Sequence, residues 1–121
     1  MKRITGQWLR KAEHDVLAGK HLFKLRPLLT DEICFHCQQA IEKLFKGMLA
    51  ECGLPIQKTQ LLPSYPVLRS LRPGLKGVTR CAVEYRYPGL STTVRQARSA
   101  FKKTVFVRKE IHKQLGLRTG A

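Results

Sequence analysis

Acidic residues are scarce in this chain of 121 residues: 8 aspartates and glutamates stand against 23 lysines and arginines, for a formal net charge of +15. A field of that sign draws phosphate-rich partners and raises their association rate, although the same charge also serves plain solubility. Long apolar runs are missing too. No stretch approaches the roughly 20 uninterrupted apolar residues that a bilayer span needs, which excludes a membrane helix and leads us to expect a soluble protein. The early charges Lys2 and Arg3 meet no apolar signal core, because Arg10, Lys11, Glu13, His14 and Asp15 follow at once. The expected location is therefore the cytoplasm. Cysteines number four, at 34, 37, 52 and 81, too few and too unevenly placed for a secreted disulfide framework. Cys34 and Cys37 have the CxxC spacing of a redox pair or half a zinc site, but no second CxxC or HxxxH completes four ligands. They read as buried core thiols, so no metal and no cofactor is expected.

The chain does hold ordinary apolar content, 43%, and its length suits one domain with a real core, spanning residues 1–121. Leu9, Ala12, Val16, Gly19 and Phe23 recur at three- and four-residue steps with Trp8 adjoining, which predicts one helix from Thr5 to Lys24, ended by Arg26-Pro27. Thr30 and Asp31 offer an N-cap for a second helix reaching about Cys52, where Gly53 and Pro55 supply the stop. Pro55, Pro63, Pro66, Pro73, Gly74 and Gly77 break up the middle, leaving short helices at about 65 to 71 and 76 to 86. Ser91, Thr92 and Thr93 offer caps for a last helix closed by Gly116. Its expected inner face carries Val94, Ala97, Phe101, Thr104, Val105, Arg108, Ile111 and Leu115. No period-two strand is evident. The expected fold is all-α: an antiparallel up-and-down bundle of three long helices plus a broken, proline-rich short-helix segment.

Two stretches carry chemistry. In "FHCQQAIEKLFKGML", residues 35 to 49, apolar residues spread over much of the helix circumference, so this helix is expected at the centre, packed on two sides. Gln38 and Glu42 share one edge of it, and Gln39, Lys43 and Lys46 a neighbouring edge. Polar groups on a central helix must be hydrogen-bonded or face a cleft. Glu42 either pairs with a basic residue of another helix or lines a site. The second stretch is "EYRYPG", Glu84 to Gly89. Two tyrosines around an arginine can stack on a base and grip a phosphate, or they can close the end of the bundle with buried rings.

The order of Trp8 and "KAEHD", then "FHCQQAIEKLFKGMLAECG", "KTQ" and "EYRYPG" before a final helix resembles the HEPN domain, the higher eukaryotes and prokaryotes nucleotide-binding family. The likeness runs over essentially the whole chain. It implies an all-α bundle, usually a homodimer, often working beside a minimal nucleotidyltransferase in a toxin–antitoxin pair, with some members metal-independent ribonucleases. The chain departs from the family twice. Ribonuclease members share an arginine, four to six residues and a histidine, whereas Arg10 and His14, like Arg108 and His112, have three residues between them. Gln60 of "KTQ" also stands where many relatives carry histidine, and the stretch from there to "RYPG" is short and proline-rich.

The leading expectation is a binding module that holds a nucleotide or RNA through Gln39, Lys43, Lys46, Arg86 and Tyr87: ammonium groups and the Arg86 fork for phosphate, Tyr87 for stacking. The alternatives are a ribonuclease using Arg108 and His112 at a displaced site, and a purely structural dimerisation subunit whose polar positions set helix register.

Overall fold

The computed structural model describes residues 1–53 and 88–117. The expected short helices at 65 to 71 and 76 to 86, Gln60, Cys81, Arg86 and Tyr87 lie outside the described residues. Three helices carry the rest: α1 Arg3–Leu22, α2 Thr30–Glu51 and α3 Val94–Gln114, with no strand among the described residues. This is the expected all-α bundle.

Each helix is started differently. Lys2, at the N-cap of α1, offers no capping side chain of its own. Instead Glu51, at the far end of α2, accepts from the Lys2 backbone N–H and from the Thr5 hydroxyl, each at 2.9 Å. The carboxylate thus meets the positive end of the α1 dipole and draws the ends of two antiparallel helices together. α3 opens on a capping box: Thr93 Oγ1 accepts from the Gln96 N–H at 3.1 Å while Gln96 Oε1 accepts from the Thr93 N–H at 2.8 Å. For α2 the capping expectation is corrected. Leu29 is the N-cap and no side chain caps it. Asp31 accepts both the backbone N–H and the hydroxyl of Thr92, at 2.7 and 2.8 Å, and the Thr30 hydroxyl donates to the Thr92 carbonyl at 3.0 Å. Both residues reach across space because a tertiary partner satisfies more polar groups than a local cap would.

The stops are where the glycines fall. Gly53 and Gly116 both adopt φ +71°, the left-handed conformation that closes a helix. At Gly116 the Leu117 N–H reaches the His112 carbonyl and the Gly116 N–H the Lys113 carbonyl, a Schellman closure. α1 ends at Leu22, four residues short of Arg26, as tight turns from Lys24 to His21 and from Leu25 to Leu22 unwind it.

α2 lies in the middle and packs extensively on both neighbours, whereas α1 and α3 meet only along an edge. Ile33, Cys34, Cys37, Ala40, Ile41, Leu44, Met48 and Leu49 of α2 are all buried. The two thiols are core, as expected. α1 runs antiparallel to α2, placing Thr5 by Glu51 and Asp15 by Lys43, and antiparallel to α3, placing Glu13 by Arg108. α2 and α3 begin side by side at Asp31 and Thr92, so they run parallel.

The expected inner face of α3 is rotated. Ala97, Ala100, Thr104, Val107 and Ile111 are buried, while Val94 and Val105 are 41% and 40% exposed. The two alanines let α3 approach α2 closely. Phe101 turns sideways, edge-on to Phe23 with ring centroids 5.4 Å apart and against the bare backbone of Gly19. The Thr104 hydroxyl, fully buried, donates back to the Ala100 carbonyl at 2.8 Å.

Candidate functional site

The polar edge of α2 faces α1. His36, Gln39 and Lys43 follow at three and four residues, with Lys46 three further on, and Asp15 lies opposite on the buried stripe of α1. Its carboxylate accepts from both sides: His36 Nδ1 lies 2.8 Å from one oxygen and Lys43 Nζ 2.5 Å from the other. The Asp15 side chain is only 11% exposed. A carboxylate so placed needs both partners to offset its desolvation. With Nδ1 against Asp15, the ring nitrogen of His36 left over is Nε2.

Glu42 corrects another expectation. Its partners belong to its own helix: Gln38 Nε2 donates to Oε2 at 3.1 Å and Lys46 Nζ stands 3.2 Å from Oε1. The i,i+4 spacing of 38, 42 and 46 makes these contacts local and inexpensive. Gln39 donates to the Gln38 amide oxygen at 2.9 Å. Lys46 also sits over the Trp8 ring, 5.2 Å from its centroid, a cation–π contact between α2 and α1. The cross-helix ion pair expected of Glu42 is made one residue later, by Lys43.

Of the expected binding residues, then, the structure brings Gln39, Lys43 and Lys46 to one seam, with each of the two ammonium groups opposite a carboxylate. The pairs Lys43–Asp15 and Lys46–Glu42 cancel, so the seam carries little net charge of its own. Arg108 is likewise engaged: its Nε and Nη2 donate to the two oxygens of Glu13 at 2.6 and 3.1 Å, a bidentate bridge from α3 to α1. His112 is half-buried one turn further along α3. Sequence reasoning missed Asp15, His36 and Glu13 as partners. The signal was present in Asp15, three residues after Ala12 and four before Gly19, but the neighbouring Val16 fits the apolar stripe equally well on a wheel.

Beside the seam, a cleft of about 500 Å³ runs along α1, lined among the described residues by Ile4, Gln7, Trp8, Arg10, Lys11 and His14. The Trp8 indole N–H is buried and has no acceptor among the described residues. No group of three or more histidines, cysteines or carboxylates that could hold a metal occurs among the described residues. Nor is any described helix long and apolar enough to cross a membrane.

A three-helix frame with a central helix, a polar seam and a large cationic excess defines an all-α bundle module. The family model of the HEPN domain matches residues 5–114, and the chain belongs to that family, whose members are nucleotide- and RNA-related modules. Comparison with curated proteins and with solved structures gives no match.

Proposed function

We infer that the protein is a HEPN binding module that holds a nucleotide or RNA and works beside a minimal nucleotidyltransferase, as a homodimer. The observation that carries this reading is the charge left over after internal pairing. Lys43, Lys46 and Arg108 are matched by Asp15, Glu42 and Glu13, but Arg10, Lys11 and Lys20 on α1 and Arg95, Arg98, Lys102, Lys103, Lys109 and Lys113 on α3 have no ion-pair partner among the described residues. Uncompensated cations in that number make a standing field for phosphate. Gln39, Lys43, Lys46, Arg86 and Tyr87 remain the candidate contacts for a nucleotide. A phosphate reaching Lys43 must compete with Asp15, so a ligand that gains further contacts with the protein is favoured over free phosphate there.

Calorimetric titration with ATP and with a short RNA, at low and at near-physiological salt, tests the reading. Saturable binding of either that persists at the higher salt is expected. Heat that vanishes for both as salt rises would reduce the charge to a nonspecific polyanion field and remove the reading.

A further inference from the structure

α3 carries two stripes on opposite faces. One is the core stripe, Ala97, Ala100, Thr104, Val107 and Ile111, at alternating steps of three and four. The other is Arg95, Arg98, Lys102, Phe106, Lys109 and Lys113, at steps of three, four, four, three and four, and all six are exposed. Five of its positions are cations and the remaining one is an aromatic. None of the five has an ion-pair partner among the described residues, and the only acid of the whole helix is Glu110. Phe106 is 50% exposed beside the exposed Val105, so about half of its apolar surface is left in water where the helix contributes nothing to the core.

A solvated outer face accounts for the lysines and arginines but not for an aromatic in the one non-cationic place of the stripe. The stripe runs about 27 Å from Arg95 to Lys113 at the helical rise. Cations that follow a line of phosphates, with a ring on which an unstacked base can lie, are what a single nucleic-acid strand requires; in a duplex the base faces are covered. Two other occupants fit less well. An anionic lipid surface takes up the apolar face of a basic helix, and that face of α3 is buried in the bundle. A second copy of this stripe would meet its own charge.

The geometry points to the outer face of α3 as a binding ridge for single-stranded RNA, with Arg95, Arg98, Lys102, Lys109 and Lys113 along the phosphates and Phe106 stacking on a base. It rests on the nucleotide- or RNA-binding reading and adds to it a surface separate from the α1–α2 seam.

The test is fluorescence-anisotropy titration of the full chain with a labelled oligouridylate over a series of salt concentrations. Three variants are compared with the unaltered chain: R95Q/R98Q/K102Q/K109Q/K113Q on the ridge, R3Q/R10Q/K11Q/K20Q/K24Q on α1 and the turn that follows it as a charge-matched control, and F106A. The ridge variant is expected to lose at least tenfold in affinity at low salt and to flatten the plot of log affinity against log salt by about 3.5, since each of the five phosphate contacts on a single strand contributes about 0.7. The control should lose clearly less slope. F106A should weaken binding by about 5- to 100-fold with the slope unchanged, the mark of a lost stack rather than a lost charge. Ridge and control variants that lose affinity and slope equally would overturn the ridge, as would F106A binding like the unaltered chain, while leaving RNA binding itself intact. No binding by the unaltered chain would overturn the ridge together with the function on which it rests. Retention on anionic vesicles or polyglutamate, with none on oligouridylate, would reassign the ridge to a membrane or an acidic protein.

Discussion

At the residue scale the seam between α1 and α2 shows why a composition-based guess about phosphate ligands needs the tertiary partners. Lys43 stands on the right edge of the right helix, yet it answers Asp15, and so does His36. Removing the ammonium leaves a largely buried carboxylate with a single partner. Lys43→Met should therefore lower stability by about 1–3 kcal/mol, the usual cost of an under-satisfied buried polar group. The double variant Asp15→Asn with Lys43→Met should recover a good part of that loss, because the stranded charge is gone. Urea unfolding midpoints of the unaltered protein, the two single variants Lys43→Met and Asp15→Asn, and the double variant measure it, and a double variant no better than Lys43→Met would show that Asp15 needs no counter-charge. Glu51 gives a pH dependence of definite sign. The Lys2 backbone N–H above all, then the Thr5 hydroxyl, hold its carboxyl below the usual carboxylate range. A depressed folded pKa means that the stabilisation is present in full above the unfolded pKa and is lost as pH falls through the folded one. The stability gap between the protein and Glu51→Gln should thus be constant near neutrality and close in the acid range below the ordinary carboxylate pKa. A gap that widened on acidification would contradict the linkage.

At the element scale, start and stop signals were legible wherever the cap is local. Thr93 with Gln96 forms the box that the cluster of Ser91, Thr92 and Thr93 announces, and Gly53 and Gly116 end helices as glycines do. Thr93→Ala should cost about 1 kcal/mol, read as a lower thermal midpoint by circular dichroism; an unshifted midpoint would mean that the cap is redundant with packing. What stayed hidden is non-local. Thr30 and Asp31 look like a cap in the sequence and serve as a bridge to Thr92, 61 residues from Asp31. The inner face of α3 was misjudged for a related reason. Val94 and Val105 fit an apolar stripe, but two stripes compete on this helix, and the one that packing buries carries the alanines.

For the molecule as a whole, the central place of α2 and the all-α class follow from the breadth of its apolar surface and the absence of any period-two run. The electrostatic arrangement was legible only as a total. A net charge of +15 does not say which cations are already matched. The fold sorts them: those facing another helix, Lys43, Lys46 and Arg108, are paired, and those facing outward on α3 have no ion-pair partner among the described residues. Neutral interior seams and a charged exterior ridge allow the same excess to coexist with close packing, because the repulsion is carried where water screens it.

The Asp31–Thr92 bridge has an effect on the aim of the ridge. The start of α3 is moored to the start of α2 by three hydrogen bonds at residues 30, 31 and 92, just after the turn at Pro88 and Gly89. The last helix is seated by these moorings together with its own cap. The phase of α3, and with it the direction in which the ridge points, is therefore set by contacts between residues 30–31 and 92 and by the Thr93–Gln96 box, at the very start of the helix.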